Sequence, residues 1–172
     1  MENEVPAENI ENTEDAQDTV DITDESPPPK TWIVFKAGGE TAKGQEELFA
    51  VDSSDVAEII RNAEVFRLPF VPPFVKGVLN FYGRPFAVVD FAKVRGQGFT
   101  NGSLFLIFKS EDDFALQVAQ ICEFCNDFQE EEIEKNKQDF FYNQIVFQGG
   151  RSAKTLNVTA LANKVRLAVA DS

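Results

Sequence analysis

The sequence predicts an all-β barrel or sandwich, and three observations lead there. About nine short runs are rich in β-branched and aromatic residues. Glycine and proline punctuate the gaps between them, which leaves little room for long helices. Seventeen phenylalanines supply much of a core, because each buries a large apolar area. At 172 residues the chain has the length of one ordinary domain.

Taken in order, Thr31 to Phe35 is a β-branched and aromatic run, and Gly38-Gly39 opens a long polar loop. Leu48 to Asp52 reads as the returning strand, and Val56 to Ile60 as the next. The cluster Leu68-Pro69-Phe70-Val71-Pro72-Pro73 excludes a central strand and predicts a rigid connector. Gly77 to Asp90 reads as two strands around a tight turn at Tyr82 to Pro85. Gly96, Gly98 and Asn101-Gly102 mark a loop. Ser103–Lys109 and Phe114–Ala119 then form a hairpin around Ser110 to Asp113. Ile121 to Phe128 is a further strand, Glu130 to Lys137 a charged loop or helical turn, and Gln144 to Gln148 a late strand. Thr155 to Val158 ends the sheet. Thr159 is the expected cap of a short terminal helix that buries Leu161 and Val165.

The net charge of −13 is unevenly spread. Residues 1–29 hold ten acids, no base and no aromatic, and end in Ser26-Pro27-Pro28-Pro29. Such a segment buries too little apolar surface to offset its ordering entropy, so a disordered acidic tail is expected over 1–29 and a folded domain over 30–172. The body then carries nineteen acids against sixteen bases. It lacks the basic footprint that a nucleic-acid or anionic-membrane surface requires. Met1 is followed by no basic and apolar leader, and no apolar run reaches the roughly 18–20 residues of a membrane span. With two cysteines only, these features lead to an expected place in the reducing cytosol.

The stretch Phe74 to Phe91 carries an ordered set of residues: Gly77, Val78, Asn80, Gly83, Val89 and Asp90. It resembles the signature of the CheW family of chemotaxis coupling proteins, in which Gly-Val-x-Asn-x-Arg-Gly leads into a hydrophobic strand ending Val-Asp-Leu. Upstream, Asp55-Val56-Ala57-Glu58-Ile59 resembles the family's Val-x-Glu-Ile strand, and Thr155-Leu156-Asn157-Val158 its ending. The resemblance covers about residues 31–168. It implies two small five-stranded SH3-like barrels packed together, with an apolar groove between them, no catalytic activity and no cofactor. It also implies partners: the regulatory domain of a CheA-type histidine kinase, the cytoplasmic tip of a methyl-accepting chemoreceptor laid in the groove, and other CheW-like proteins. The place implied is cytoplasmic, at membrane-associated receptor arrays.

Two positions depart from the family pattern. Tyr82 stands where the family has an Arg that pairs with the Glu matching Glu58, and Ala87 where it often has Pro. Arg84 lies close enough in sequence to substitute for the missing Arg. The candidate partner-binding residues are therefore Val56, Glu58, Gly77, Asn80, Tyr82 and Arg84. Gly77 and Gly83 also read as backbone requirements, and Asn80 as a turn stabiliser. On a regular strand Glu58 shares the face of Val56, so a Val56 lining the groove would make Glu58 a rim charge.

Cys122-Glu123-Phe124-Cys125 spells Cys-x-x-Cys, so a thiol-disulfide protein is an alternative reading. On a regular strand these residues point to opposite faces about 10 Å apart, beyond the roughly 7 Å Cα separation of a disulfide. A structural zinc site needs further Cys or His ligands, and the chain has neither. The absence of His removes the usual base at neutral pH. Glu111-Asp112-Asp113 reads as a solvated turn, and Glu130 to Glu132 lacks the spacing of a calcium loop. A general SH3-like peptide-binding module is the remaining alternative, since fold alone does not fix function.

Overall fold

A computed structural model describes residues 26–38, 46–134 and 140–171. Most of the acidic tail, part of the first long loop and part of the 130–137 segment lie outside the described residues. The first sheet contains β1 (Trp32–Lys36), β2 (Leu48–Asp52), β8 (Gln120–Cys125), β9 (Phe128–Glu132), β10 (Phe141–Phe147) and β11 (Arg151–Leu156). Its strand order is β8-β1-β2-β11-β10-β9. The second contains β3 (Val56–Arg61), β4 (Val75–Phe81), β5 (Arg84–Asp90), β6 (Leu104–Phe108) and β7 (Phe114–Val118), in the order β3-β6-β7-β5-β4.

Each sheet curls towards closure. In the first, β8 and β9 are consecutive in the chain and occupy opposite edges, separated only by Asn126-Asp127. The Trp32 ring of β1 meets Phe128 of β9 edge-on, 6.1 Å between centroids. In the second, the chain leaving β3 returns to β4: Phe66 and Val78 exchange two backbone hydrogen bonds of 2.8 and 2.9 Å.

Three cores follow from the period-two alternation of strands. Trp32 and Val34 point into the first barrel with Ala50, Ile145 and Phe147. Phe105 and Ile107 point into the second with Leu79, Phe86 and Val88. The intervening residues Ile33, Phe35, Leu104, Leu106 and Phe108 face a larger core between the barrels. Burial on both faces explains why Leu104 to Phe108 is an unbroken apolar run and not an alternating one.

Helix α2 (Val158–Ala170) packs Leu161 and Val165 on the shared core, as the sequence predicts. Its N-cap is Asn157, which accepts from Ala160 N at 3.0 Å, and Thr159 lies within the first turn. Glu130 to Glu132 belongs to β9 and not to a loop, because its backbone pairs with Asn143 to Ile145 while the acids face solvent. A short helix, α1 (Phe91–Val94), interrupts the expected loop after β5. Among the described residues, no helix is long and apolar enough to cross a membrane.

Candidate functional site

The β4–β5 turn consists of two residues, Tyr82 and Gly83, with φ of 48° and 81°. Two successive positive φ values are those of a type I′ turn, whose twist matches the flanking strands. Gly83 adopts this freely, whereas a bulky Tyr does so at a cost, and such strained residues cluster at functional positions. Asn80 stabilises the turn by accepting from Gly83 N at 2.8 Å. Tyr82 is 83% exposed, stands edge-on to Phe81 at 4.6 Å and donates its hydroxyl to Glu58 Oε2 at 3.3 Å. Tyr82 therefore keeps a polar link to Glu58 in the place of the family's ion pair. Arg84 does not substitute: its Nη2 reaches both carboxylate oxygens of Asp113, at 2.6 and 2.7 Å.

Val56 and Glu58 do not share a face. The register with β6 shifts between them, Val56 opposing Phe108 and Glu58 opposing Ile107. This bulge adds one residue, so Val56 enters the shared core and Glu58 stays in solvent. Gly77 is a backbone requirement. Its φ is 146°, and a Cβ there would lie 2.1 Å from the Phe66 carbonyl oxygen. The six candidates thus divide. Glu58, Asn80, Tyr82 and Arg84 surround one exposed turn, while Val56 is buried in the core between the barrels and Gly77 packs against the Phe66 backbone.

Beneath the same hairpin, Asp90 ends β5 and caps α1. It is fully buried and accepts from Thr100 N at 2.9 Å, the Thr100 hydroxyl at 2.7 Å and Lys93 N at 3.3 Å, with Lys76 Nζ at 3.2 Å. Burial pushes its carboxyl up, but the Thr100, Lys93 and Lys76 donors together outweigh this and hold it below its ordinary value.

The second feature is a groove of about 450 Å³ between the barrels, lined by Ile59, Arg61 and Leu104 on one side and by Gln120, Ile121 and Phe124 on the other. Phe124 is 61% exposed. Ile59 and Arg61, not Val56, are the β3 residues in the groove, and the bulge sets Ile59 on the same face as Val56. Phe124 carried no signal in the sequence, since an exposed aromatic on a strand is told from a buried one only by its neighbours.

The two cysteines also depart from the regular-strand expectation. Opposite Val34 and Phe35 the register of β8 jumps from Glu123 to Ile121, so Cys122 is a bulged residue. Both cysteines consequently pack on the Trp32 cluster, Cys125 within it and Cys122 at its margin. Both are free thiols, and desolvation pushes both above their ordinary value. This is opposite to the depressed thiol of an oxidoreductase. No group of three or more metal-ligating residues occurs among the described residues.

Comparison with known proteins agrees with this architecture. The crystal structure of the scaffolding protein TtCheW from Thermoanaerobacter tengcongensis superposes with a TM-score of 0.60 at 22% identity, covering 74% of this chain and 88% of that one. No curated protein sequence matches. The family model of the CheW-like domain matches residues 31–166, most of the chain and every strand of both barrels. The protein therefore belongs to the CheW-like domain family.

Proposed function

We propose that the chain is a non-enzymatic chemotaxis scaffold that couples chemoreceptor tips to a CheA-type histidine kinase. The observation that carries this reading is membership of the CheW-like family over both barrels, joined to an apolar groove at their junction. The relative of known structure is itself described as a scaffolding protein. The mechanism is geometric. A rigid body with two docking surfaces raises the effective concentration of one partner for the other and needs no chemistry of its own. The groove of Ile59, Leu104, Ile121 and Phe124 suits the apolar face of a helical hairpin tip. The exposed turn of Tyr82 and Glu58 supplies an aromatic anchor with a charged rim for the second partner. The protein then works in the cytoplasm, at membrane-associated receptor arrays.

Co-sedimentation of the protein with receptor-bearing membranes and a CheA-type kinase tests the reading. Scaffolding predicts that kinase enters the pellet only when all three are present. Retention of the kinase without this chain, or its absence from the pellet with it, overturns the proposal. The raised thiols of Cys122 and Cys125 run against the thiol-disulfide alternative.

A further inference from the structure

A large recess has no part in the function proposed above. It measures about 800 Å³ and lies between the 63–75 connector and the 99–103 loop. The 99–103 loop is pressed so closely onto β7 that a Cβ on Gly102 would sit 2.2 Å from the Val118 carbonyl oxygen. On its wall stands Gln117, only 7% exposed. Its Nε2 donates to the Gly102 carbonyl, which fixes the amide orientation, and its Oε1 is buried with no partner. An orphaned buried acceptor costs free energy that an incoming N–H donor recovers.

The remaining walls are apolar and cationic, with the uncharged polar residues Thr100, Asn101 and Ser103 among them. Leu68, Val75 and Phe99 line the recess, and Phe66 and the 94% exposed Phe70 continue the apolar surface along the connector. Arg67 and Lys76 are its charged residues, and no carboxylate is among those that line it. Lys76 is engaged with Asp90, whereas Arg67 makes no ion pair among the described residues. Lys93 adds a third cation, held 4.7 Å over the Phe99 ring. A positively charged, partly apolar recess with an unpaired acceptor fits an extended acidic peptide with apolar side chains, whose backbone N–H meets Gln117.

We propose that the occupant is the chain's own acidic segment, residues 1–25. It carries all ten tail acids, with Val5, Ile10, Val20 and Ile22 set among them, and no base. The geometry permits the docking. The hydroxyl oxygen of Thr100, on the recess wall, lies 2.9 Å from the carbonyl oxygen of Ala37, just beyond the far end of β1. The eight residues from Lys30 to Ala37 span about 23 Å at strand rise, while 25 extended residues reach about 80 Å. Both charge and length therefore favour this segment over a partner that must first be captured from solution.

The test is made by NMR on the full chain. Replacing Asp18, Asp21, Asp24 and Glu25 by their amides should shift the Gln117 side-chain amide and the backbone resonances of Thr100 to Ser103. Arg67→Glu and 0.5 M salt should produce shifts in the same direction. Gln117→Met, which keeps the size and removes the acceptor, should release the tail resonances. Recess resonances that ignore the tail substitutions overturn the proposal. So do shifts that follow protein dilution, which would make the recess a contact between copies. Shifts that appear only when a CheA-type kinase is added would give the site to a partner and likewise overturn it.

Discussion

Tyr82 donates its hydroxyl to Glu58 at 3.3 Å across the seam of the second barrel, joining the strands that form the two edges of its sheet. The tip of the β4–β5 hairpin is thereby tied to β3 without a charge pair. Because the link is exposed and neutral on one side, it adds little to stability and leaves the ring available to a partner.

Tyr82→Ala should change unfolding free energy by no more than about 0.5 kcal/mol, since the ring is exposed. Binding to the kinase or receptor should weaken by about 1–2 kcal/mol, as for an interface anchor. Tyr82→Arg should recreate a charged link to Glu58 and improve binding to a typical family partner. Urea denaturation with parallel binding isotherms separates the two effects. A large loss of stability with unchanged affinity would assign the ring to packing alone.

Gly77→Asp should prevent normal folding. A Cβ at 2.1 Å from the Phe66 oxygen cannot be accommodated, and φ of 146° is unsuited to any side chain with a Cβ. The carboxylate would also enter a buried segment unpaired, at a cost of several kcal/mol. Gly77→Ala keeps the steric conflict without the charge and should still be clearly destabilised, which circular dichroism and urea midpoints would show.

Asp90 should govern the acid side of the stability profile. Its folded carboxyl titrates below its unfolded value of about 3.9. The stabilisation is therefore complete above that value and is lost as pH falls through the folded one. Asp90→Asn leaves Lys76 without its counter-charge, costs about 3 kcal/mol at pH 7, and flattens the acid decline. An unchanged pH profile in Asp90→Asn would remove Asp90 from this role.

Phe124→Glu places a charge in the apolar groove between the barrels. The residue is exposed, so stability should change by no more than about 0.5 kcal/mol. Affinity for a receptor tip should fall at least about tenfold, the effect of losing a buried anchor. Equal loss of kinase binding would show that the groove is not specific to the receptor.

A chain beginning at Lys30 should fold as the whole chain does, because every residue of the three cores lies from Ile33 or Trp32 onward. If the tail occupies the recess half of the time, its removal changes stability by only about 0.4 kcal/mol. Thermal melts of the two chains should agree within a few degrees.

The all-β class, the positions of most strands and the family were legible in the sequence, because they depend on local chemistry. β-branched and aromatic runs, proline breaks and the tight turn marked by Asn80 and Gly83 each act within a few residues. Leu161 and Val165 were legible as helix core for the same reason, since they lie one helical turn apart. What only the tertiary structure decided were the faces. A one-residue bulge in β3 set Ile59 on the face of Val56 and turned Glu58 away from it, and another in β8 set Cys122 and Cys125 against one cluster. A bulge inverts every side chain beyond it, yet no residue type announces it. The partner of Arg84 and the unpaired oxygen of Gln117 were likewise hidden, because each depends on which distant strand the chain brings alongside.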